Sequence, residues 1–587
     1  MRREFKLGLL FLVISLTVLS VRPPVWSRQS IYAAIREAHQ LVEQMGEPSR
    51  RAIAPMAQVR IVHPQAIDVT HYQLQIELTP DPPQLVGTVT IEGRATAPLE
   101  TISIDAYENL IIDAVRGEGI ALPFQRTSDQ IVLGFPHGLS TGESFTVSVD
   151  YHGVPVTSGV LGGGMLVARH GNVRVMANLS EPYAAPTWWP CIDNPSDKAT
   201  IEIEAVVPRA YVVASNGILE RVEPVGNRRK RYVWREDYPI ATYLVSVAAT
   251  NYARFEDHYT ALDGQTVMPL IYYVYPEHLA AAQQKFPVTR SALEIFAPLF
   301  GEYPFLAEKY GMAEFPWGGA MEHQTMTSMG DRIIHLSDLT VQDFISHELA
   351  HQWWGDWVTL ATWHDIWLNE GFATYSEVLF FERFYGLDPG ELMDRSYDDH
   401  RAFGRMGGTV YAEDLENPFD DYGAIYTKGA WVLHMLRHIL GEQEFFAMLQ
   451  DYGERFAFAN ASTEDFQRVC EDHYGAPMDW FFEQWIFAPG RPIYHVEWDV
   501  TPNDASETYT VRLSVEQVQP QSIPGRPGEL ERVYIMPIDI TLHYADGSSE
   551  TRVIWNDTRR QEFTFVVSRR PVSVGFDERH WVLKEVR

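Results

Sequence analysis

The spacing of apolar residues changes along the chain, and each change predicts a different kind of domain. Between residues 66 and 255, apolar and polar residues alternate, as in the runs 72–78, 145–151 and 201–204. Alternation of this kind is typical of strands with one buried and one solvent-facing side, and Gly, Pro and Asp residues separate the runs. We therefore predict an N-terminal antiparallel β domain over residues 66–255.

Between residues 256 and 490 the apolar residues recur with a helical period instead. The pattern predicts one helix over residues 341–354 and a second from about residue 365 to Gly386, a residue type that commonly ends helices. Further helical runs cover residues 426–440 and 443–456. This part of the chain is expected to form a mostly helical domain, interrupted by a glycine-rich extended segment at 312–328.

Alternation returns in the last hundred residues. The runs 509–515 and 538–544 each place every second apolar side chain on one face, and Ala545-Asp546-Gly547 supplies a turn after the later run. These features predict a C-terminal β-sandwich over residues 491–587. The expected fold class is therefore multidomain α+β.

A short amphipathic helix is predicted ahead of the first β domain. Apolar residues recur at helical spacing from Ile31 to Met45. We expect residues 28–65 to form this helix and a linker, with the helix covering the β domain that follows. A helix lying on a membrane surface is the alternative, but the polar face lacks the basic character of such helices.

The first 27 residues have the features of an export signal. Arg2, Arg3 and Lys6 precede the apolar run 7–21, and small residues near Ser27 suit a signal peptidase. The run is shorter than the roughly twenty residues that a spanning helix needs. We predict that residues 1–27 direct export to the cell envelope or the medium, with cleavage after Ser27. Retention of the segment as an N-terminal membrane anchor is the alternative.

Composition and charge narrow the possible functions. The chain has 587 residues, of which 45% are hydrophobic, and this indicates several folded domains. Its formal net charge of −31 repels a phosphate backbone, so we expect no nucleic-acid partner. Cys191 and Cys470 are the two cysteines of the sequence, which excludes a disulfide framework and a cysteine-based metal site. Whether these two pair is left open by the sequence.

The strongest chemical signal is His347-Glu348-Leu349-Ala350-His351, followed by Glu370 in the next predicted helix. Residues four apart share a helix face, so His347 and His351 can bind one metal ion together with Glu370. Three such ligands and a fourth position for water are typical of a catalytic zinc site. A buried polar network is the alternative. The apolar helical pattern around the motif favours the metal site over the buried polar network. We therefore predict one zinc ion per chain.

Glu348 lies next to the first ligand and points about 100° away from it on the helix. In a site with this motif, the carboxylate lies beside the activated water and acts as general base. An ordinary surface glutamate is the alternative. We predict Glu348 as the general base.

These motifs resemble, in their order along the chain, the gluzincin aminopeptidases, the family of aminopeptidase N and leukotriene hydrolase. Gly319-Ala320-Met321-Glu322-His323 is similar to the family's exopeptidase motif, and Tyr426-Thr427-Lys428-Gly429-Ala430 is similar to its catalytic tyrosine segment. Residues 180–193 resemble the first-domain loop that carries an amine-binding acid. The resemblance covers about residues 66–490 and implies a thermolysin-like zinc catalytic domain over residues 256–490.

The resemblance implies a substrate-binding role for several residues. Glu322 and Glu181 would hold the free α-amino group of a peptide, which restricts cleavage to the first residue. A turn cap for Glu181 and an ion pair for Glu322 are the alternatives. The substrate would add as a strand to the backbone of three small residues. These residues are Gly318, Gly319 and Ala320.

Tyr426 would stabilise the oxyanion, with Tyr422 as a competing candidate. Glu377 lies seven residues after Glu370, on the same helix face, and can hydrogen-bond a ligand histidine or form an ordinary salt bridge. The sequence departs from the family at His323, where the family has Asn. This change affects the polarity of the first subsites.

The function implied is that of a zinc-dependent aminopeptidase, which hydrolyses the N-terminal residue from peptides with a free N-terminus. A catalytically silent peptide-binding protein on the same scaffold is one alternative. Additional epoxide hydrolase activity, as in leukotriene hydrolase, is another. Many relatives carry a long helical domain after the sandwich, where this sequence ends, so an open active-site cleft is expected.

Overall fold

The computed structural model describes residues 26–46, 65–396, 408–503, 507–519 and 532–587. The predicted export segment 7–21 and most of the predicted linker lie outside these described residues. Within the described residues, no helix is long and apolar enough to cross a membrane. The expected fold class is confirmed, because a β-rich first domain precedes a mostly helical domain and a second β-rich region follows.

The first domain contains strands whose buried and exposed side chains alternate as the sequence pattern predicts. In the first strand the even-numbered residues from Tyr72 to Leu78 are buried. The strands are β1 (Ile67–Pro80), β2 (Pro83–Ala95), β3 (Leu99–Asp105), β4 (Leu110–Gly117), β5 (Ile120–Ala121), β6 (Phe124–Arg126), β7 (Gln130–Leu139), β8 (Ser144–Gly153), β9 (Thr157–Ser158), β10 (Gly163–His170), β11 (Val173–Leu179), β12 (Ala199–Pro208), β13 (Val212–Ser215), β14 (Ile218–Val225), β15 (Arg229–Ile240) and β16 (Val247–Thr250).

Two sheets dominate this domain. Among the described residues, one sheet has the strand order β14-β15-β12-β1-β2-β8-β4-β5, and the other has the order β13-β16-β11-β10-β9. The first sheet is antiparallel except where β1 pairs with β12 in parallel, with His71 opposite Thr200. The prediction of an antiparallel domain missed this pair because β12 returns from the second sheet, and a strand that is not reached through a hairpin is free to pair in parallel. The segment 180–193 follows β11 and points toward the helical domain.

The second domain begins with a mixed sheet rather than with helices. The period-two pattern continues through its first hairpin, but these strands pair with later strands of the same domain and not with the first domain. In the described residues the sheet has the order β17-β18-β19-β21-β20, so that β20 forms a free edge. Its strands are β17 (Ala253–Thr260), β18 (Val267–Val274), β19 (Tyr310–Phe315), β20 (Ala320–Met321) and β21 (Met326–Gly330). Two further short strands, β22 (Thr359–Leu360) and β23 (Asn460–Ala461), pair with each other in a separate sheet.

Helices form the rest of the second domain. Ser462 and Asp465 form the capping box that their spacing indicates, at the start of one of these helices. A π-helical turn, Gly423–Lys428, directly precedes the helix that begins at Gly429. The helices of the second domain are α2 (Leu279–Lys285), α3 (Val288–Phe300), α4 (Asp338–Ala350), α5 (Trp367–Tyr385), α6 (Pro389–Ser396), α7 (Gly429–Leu440), α8 (Glu442–Arg455), α9 (Thr463–Tyr474) and α10 (Asp479–Trp485). Helix α1 (Arg28–Gly46) precedes the first domain in sequence.

Helix α1 packs on the helical domain and not on the β domain that follows it in sequence. It contacts α4 and α6, and the Tyr32 hydroxyl donates to a Glu391 carboxylate oxygen at 2.8 Å. Ile31 and Ile35 are buried in this contact. The helix prediction was right, but its expected partner was wrong, because periodicity shows that a face is buried without showing what covers it.

The C-terminal region forms the predicted β-sandwich. Its described strands make a four-stranded sheet, β28-β25-β24-β30, and a three-stranded sheet, β27-β26-β29. The sandwich packs on the helical domain, where the Trp581 ring stacks on His434 with centroids 4.7 Å apart. The strands are β24 (Ile493–Pro502), β25 (Tyr509–Gln517), β26 (Met536–Tyr544), β27 (Ser549–Asn556), β28 (Arg560–Val567), β29 (Pro571–Phe576) and β30 (Glu585–Val586).

Candidate metal centre and active site

Three predicted ligands meet between α4 and α5. The His347 Nε2 atom lies 3.1 Å from His351 Nε2 and 3.2 Å from Glu370 Oε2, and His351 Nε2 lies 3.3 Å from the same oxygen. Among the described residues, these are the one group of three side chains placed to hold a metal ion. The ligands predicted from sequence spacing therefore meet in the structure, although they come from two helices that are separated by a loop.

Local sequence features position α4 and α5. Ser337 caps α4 by accepting a hydrogen bond from the Thr340 N–H, so that the helix begins at Asp338. On α5, a Cβ atom at Gly371 would lie 2.9 Å from the Gly429 Cα, so glycine permits close approach of α5 to α7. This approach places Glu370 beside the tyrosine segment.

The donor set fits zinc. Tetrahedral zinc with bonds of about 2.0–2.2 Å separates its ligand atoms by roughly 3.3–3.6 Å, close to the observed spacing. His347 Nδ1 lies 2.6 Å from a Glu377 oxygen, and His351 Nδ1 lies 2.9 Å from the Trp354 carbonyl oxygen. Both partners are acceptors, so each Nδ1 carries the proton and each Nε2 presents a lone pair to the other. A cation between them satisfies this arrangement.

The charges around the ligands also favour a cation. Burial alone would lower the pKa of His351, but Glu322 and Glu370 outweigh burial and raise it. Burial alone would raise the pKa of Glu370, but His351 and His347 outweigh it and lower the value. The buried carboxylates therefore create a negative potential at the point where the ligand atoms converge.

Glu348 lies close to the three ligands but has different partners. Its side chain is buried, and its Oε2 atom has no hydrogen-bond partner among the described residues. Burial raises its pKa to about 8, although His347 and His351 pull in the opposite direction. A carboxylate that is not committed to a partner can accept a proton, as a general base must.

Two more carboxylates lie close to the metal triad and come from different domains. Glu181 and Glu322 are 5% and 3% exposed, and one oxygen of each has no hydrogen-bond partner within the described part of the chain. Burial is the main cause that raises the pKa of both, and the nearby carboxylates Glu322, Glu370 and Glu348 raise that of Glu181 further. The structure thus brings Glu181 and Glu322 to the metal triad.

The small residues before Glu322 form the predicted free edge. Ala320 begins β20, which pairs with β21 on one side only. A Cβ atom at Gly319 would lie 2.6 Å from the Trp317 ring, so a larger residue would displace that ring. Gly318 precedes this tight segment and is partly exposed. An edge of this kind is open to an added peptide strand.

Tyr426 lies in the π-helical turn and is oriented toward the ligands. Its ring is nearly parallel to the His347 ring, with centroids 6.2 Å apart. Burial, Glu370 and Glu181 together hold the pKa of Tyr426 well above its usual range, so its hydroxyl keeps its proton. Tyr422 stacks behind it with centroids 3.9 Å apart. Tyr426 thus lies beside two of the three predicted ligands, His347 and Glu370.

His323, which stands where the related family has Asn, is fully buried. Its Nδ1 atom lies 2.8 Å from Ser328 Oγ, and burial lowers its pKa to about 3, so the ring is neutral. The residue is therefore an uncharged part of the turn between β20 and β21. Cys191 and Cys470 are both buried free thiols, which settles the pairing that the sequence left open.

Sequence reasoning missed one main-chain partner of the ligands. The expected contact of Glu377 with His347 is present, since helix spacing places both on facing surfaces. The corresponding partner of His351 is the Trp354 carbonyl, which any residue type would supply. A backbone acceptor leaves no signal in the sequence.

Two family models match the chain in the order of the described domains. The Peptidase M1 N-terminal domain matches residues 68–244, and the Peptidase family M1 domain matches residues 285–485. Similar proteins include glutamyl aminopeptidase of Sus scrofa, 27% identical over 74% of this chain and 48% of its own length. Probable aminopeptidase 2 of Sulfurisphaera tokodaii is 26% identical over 66% of this chain and 50% of its own. The chain thus spans about half the length of these curated relatives.

Solved structures give the same result. The M1 zinc metallopeptidase from Deinococcus radiodurans has a TM-score of 0.64 and 28% identity, covering 72% of this chain and 94% of that one. Legionella pneumophila aminopeptidase A shares the fold, with a TM-score of 0.74 at 18% identity over 90% of this chain and 60% of its own. Together with the family models, which cover well over half of the residues, these likenesses show that the chain belongs to peptidase family M1.

Proposed function

We propose that this protein is a zinc-dependent aminopeptidase that removes the first residue from peptides with a free N-terminus. The observation that carries the proposal is the placement of two buried carboxylates, Glu181 and Glu322, close to the metal triad and to Glu348, each with one oxygen that lacks a hydrogen-bond partner among the described residues. Such oxygens are costly to bury unless a cation binds beside them. The α-ammonium group of a peptide is a cation that only its first residue provides.

The residues of the chain divide the chemistry among them. When bound, zinc supplies a Lewis acid for the scissile carbonyl and lowers the pKa of water toward about 7. Glu348 accepts the proton of the attacking water and passes it to the leaving amine. Tyr426 donates a hydrogen bond to the carbonyl oxygen as negative charge develops there. Glu322 and Glu181 hold the ammonium group, and residues 318–320 align the peptide backbone.

Selectivity for a free N-terminus follows from the charges. Binding of an ammonium group satisfies Glu322 and Glu181, whose pKa values are raised by burial in the free protein. An N-acetylated peptide brings no positive charge and leaves both groups unsatisfied. A buried charge without a partner costs several kcal/mol, and this cost opposes binding of blocked peptides.

The test is a panel of aminoacyl-arylamides, each assayed with its N-acetyl counterpart and with a metal chelator. We expect turnover of the free substrates, loss of turnover with chelator, recovery on adding zinc, and no turnover of the acetylated set. Equal cleavage of blocked and free substrates would indicate an endopeptidase. Absence of turnover in the zinc-loaded protein would indicate the catalytically silent peptide-binding alternative.

We further propose that the protein acts outside the cytoplasm. The support is the basic start at Arg2, Arg3 and Lys6, followed by the apolar run 7–21. Expression of the full chain, followed by fractionation and N-terminal sequencing, tests this proposal. Export with a new terminus at residue 28 supports cleavage, export with an intact terminus in the membrane fraction supports an anchor, and retention in the cytoplasm contradicts both.

A further inference from the structure

Gln352, the residue directly after the second histidine ligand, is fully buried and makes four hydrogen bonds. Its Nε2 atom donates to the Glu322 carbonyl oxygen at 3.1 Å and to Asp356 Oδ2 at 2.7 Å. Its Oε1 atom accepts from the Thr325 N–H at 2.9 Å and from the Tyr303 hydroxyl at 3.1 Å. A primary amide has two donor hydrogens and two acceptor lone pairs, so its capacity is filled.

The chemistry of these partners requires an amide at position 352. On one side of the side chain lie donors, and on the other side lie oxygens that only accept, the Glu322 carbonyl and Asp356. Glutamate would present acceptors to the acceptors, and methionine would remove all four of these hydrogen bonds. The amide therefore ties Glu322, at the start of the turn between β20 and β21, to the end of the zinc-binding helix at His351.

Thr325, which the amide holds, has a strained backbone. Its φ is +61°, in the left-handed region that β-branched residues rarely adopt. Its hydroxyl donates to Glu236 Oε2 at 3.0 Å, and it accepts from the Gly217 N–H at 2.8 Å and from Lys309 Nζ at 3.1 Å. Glu236 and Gly217 belong to the first domain, so two domains hold this one residue.

The residues that hold Thr325 are sealed from solvent. Glu236 and Lys309 are 1% and 2% exposed, and Lys309 Nζ also donates to the Thr325 carbonyl at 2.9 Å. Gln324 Nε2 donates to Glu236 Oε1 at 3.2 Å. Bonds in such surroundings are strong, and the loss of one partner leaves another group unsatisfied. The conformation of residues 323–325 is thus fixed from both sides.

We propose that Gln352 and Thr325 are positioning residues that set the distance between the metal centre and the amine-binding Glu322. Gln352 fixes the Glu322 main chain relative to His351, and Thr325 fixes the turn that follows. Through Glu236 the first domain supports the same turn, in addition to supplying Glu181. This inference rests on the proposed aminopeptidase function.

The test compares Gln352→Met and Thr325→Val with two matched controls. Thr325→Ser keeps the hydroxyl, whereas Thr325→Val keeps the shape and removes it. Gln467→Met removes an amide on α9 whose nitrogen donates to Glu471 of the same helix and to Asp479. For each zinc-loaded protein, the readouts are zinc content, Tm, and KM and kcat on a leucine arylamide. The Kd of leucine amide is measured by calorimetry with each change placed in a Glu348→Gln background, so that the ligand is not hydrolysed.

We expect Gln352→Met and Thr325→Val to raise KM and the leucine amide Kd by about tenfold or more, since buried groups lose partners. Zinc content should stay at one per chain, and kcat should fall less than kcat/KM. Thr325→Ser and Gln467→Met should stay close to wild type. Unchanged leucine amide Kd in folded, zinc-loaded Gln352→Met and Thr325→Val would overturn the proposal, even if their Tm values fall.

The calorimetric readout separates this inference from the proposed function. If the unmodified protein shows no free-amine-dependent turnover, the aminopeptidase proposal fails while the amide Kd values still report on positioning. If the unmodified protein is active and the Kd values do not change, the positioning role alone fails.

Discussion

Glu348 and Glu370 have the same side chain and lie close to each other, yet their contacts give them different roles. Glu370 lies 3.2 and 3.3 Å from two imidazole nitrogens, and these neighbours lower its pKa. Glu348 has an oxygen without a partner among the described residues, and burial raises its pKa. A carboxylate whose oxygen converges with two imidazole nitrogens is suited to bind a metal ion. A carboxylate with an oxygen that has no hydrogen-bond partner is suited to accept and donate protons.

At this scale the first prediction concerns Glu348→Gln. Its amide has nearly the same shape but cannot take a proton from water, so kcat should fall by about 10²–10⁴-fold. Zinc content should remain at one per chain, because the ligands are unchanged. Metal analysis and arylamide kinetics check both outcomes. A variant with near wild-type kcat would rule out Glu348 as the general base.

The second prediction concerns the two tyrosines. Tyr426→Phe removes the hydroxyl beside the metal triad and should lower kcat by about 10²–10³-fold with a small change in KM, since the lost bond forms only as charge develops. Tyr422→Phe is the matched control and should retain most of the activity. The opposite ranking of the two variants would assign the oxyanion role to Tyr422.

At the scale of elements, helix packing decides where the ligands lie. Helix α4 supplies two ligands and α5 the third, and α5 approaches α7 through Gly371 and Gly429. The metal motif was predictable because helix spacing is a local property. The approach of α5 to α7, which places Glu370 next to Tyr426, depends on contacts between residues far apart in sequence.

Gly371→Ala tests this packing. The added Cβ would lie 2.9 Å from backbone of the facing helix, so the helices must move apart, at a cost of about 1–3 kcal/mol. We expect a lower Tm and a weaker zinc affinity in competition with a chelator. Gly134→Ala is the control, because a Cβ there meets no atom within 4 Å among the described residues. Equal zinc affinity in the two variants would contradict a role of this contact in holding Glu370.

At the scale of the whole molecule, two domains contribute to one site. Glu181 comes from the first domain, and Glu322 and the ligands come from the second. Alternating and helical patterns predicted the order of domains because the spacing of apolar residues within each segment determines which of its faces is buried. They missed the parallel pairing of β1 with β12, the docking of α1 on the helical domain and the amide of Gln352. Each of these depends on which distant segment lies opposite, and periodicity carries no information on that.

Zinc should stabilise the protein, because the triad joins α4 and α5. A ligand that binds only the folded state adds about 4 kcal/mol at a thousandfold excess over its Kd. We therefore expect chelation to lower the Tm and added zinc to restore it. His351→Ala should show a smaller zinc-dependent shift. An equal shift in this variant would place the stabilising zinc elsewhere.

The central claim is that one zinc ion and two amine-binding carboxylates act together on the start of a peptide. The most direct test is a crystal structure of the zinc-loaded protein with a bound amino acid, with anomalous data at the zinc edge. We predict a zinc peak about 2.0–2.2 Å from His347 Nε2, His351 Nε2 and Glu370, and an ammonium group within hydrogen-bond distance of Glu322 and Glu181. A zinc peak away from these ligands, or an amino group turned away from both carboxylates, would contradict the claim.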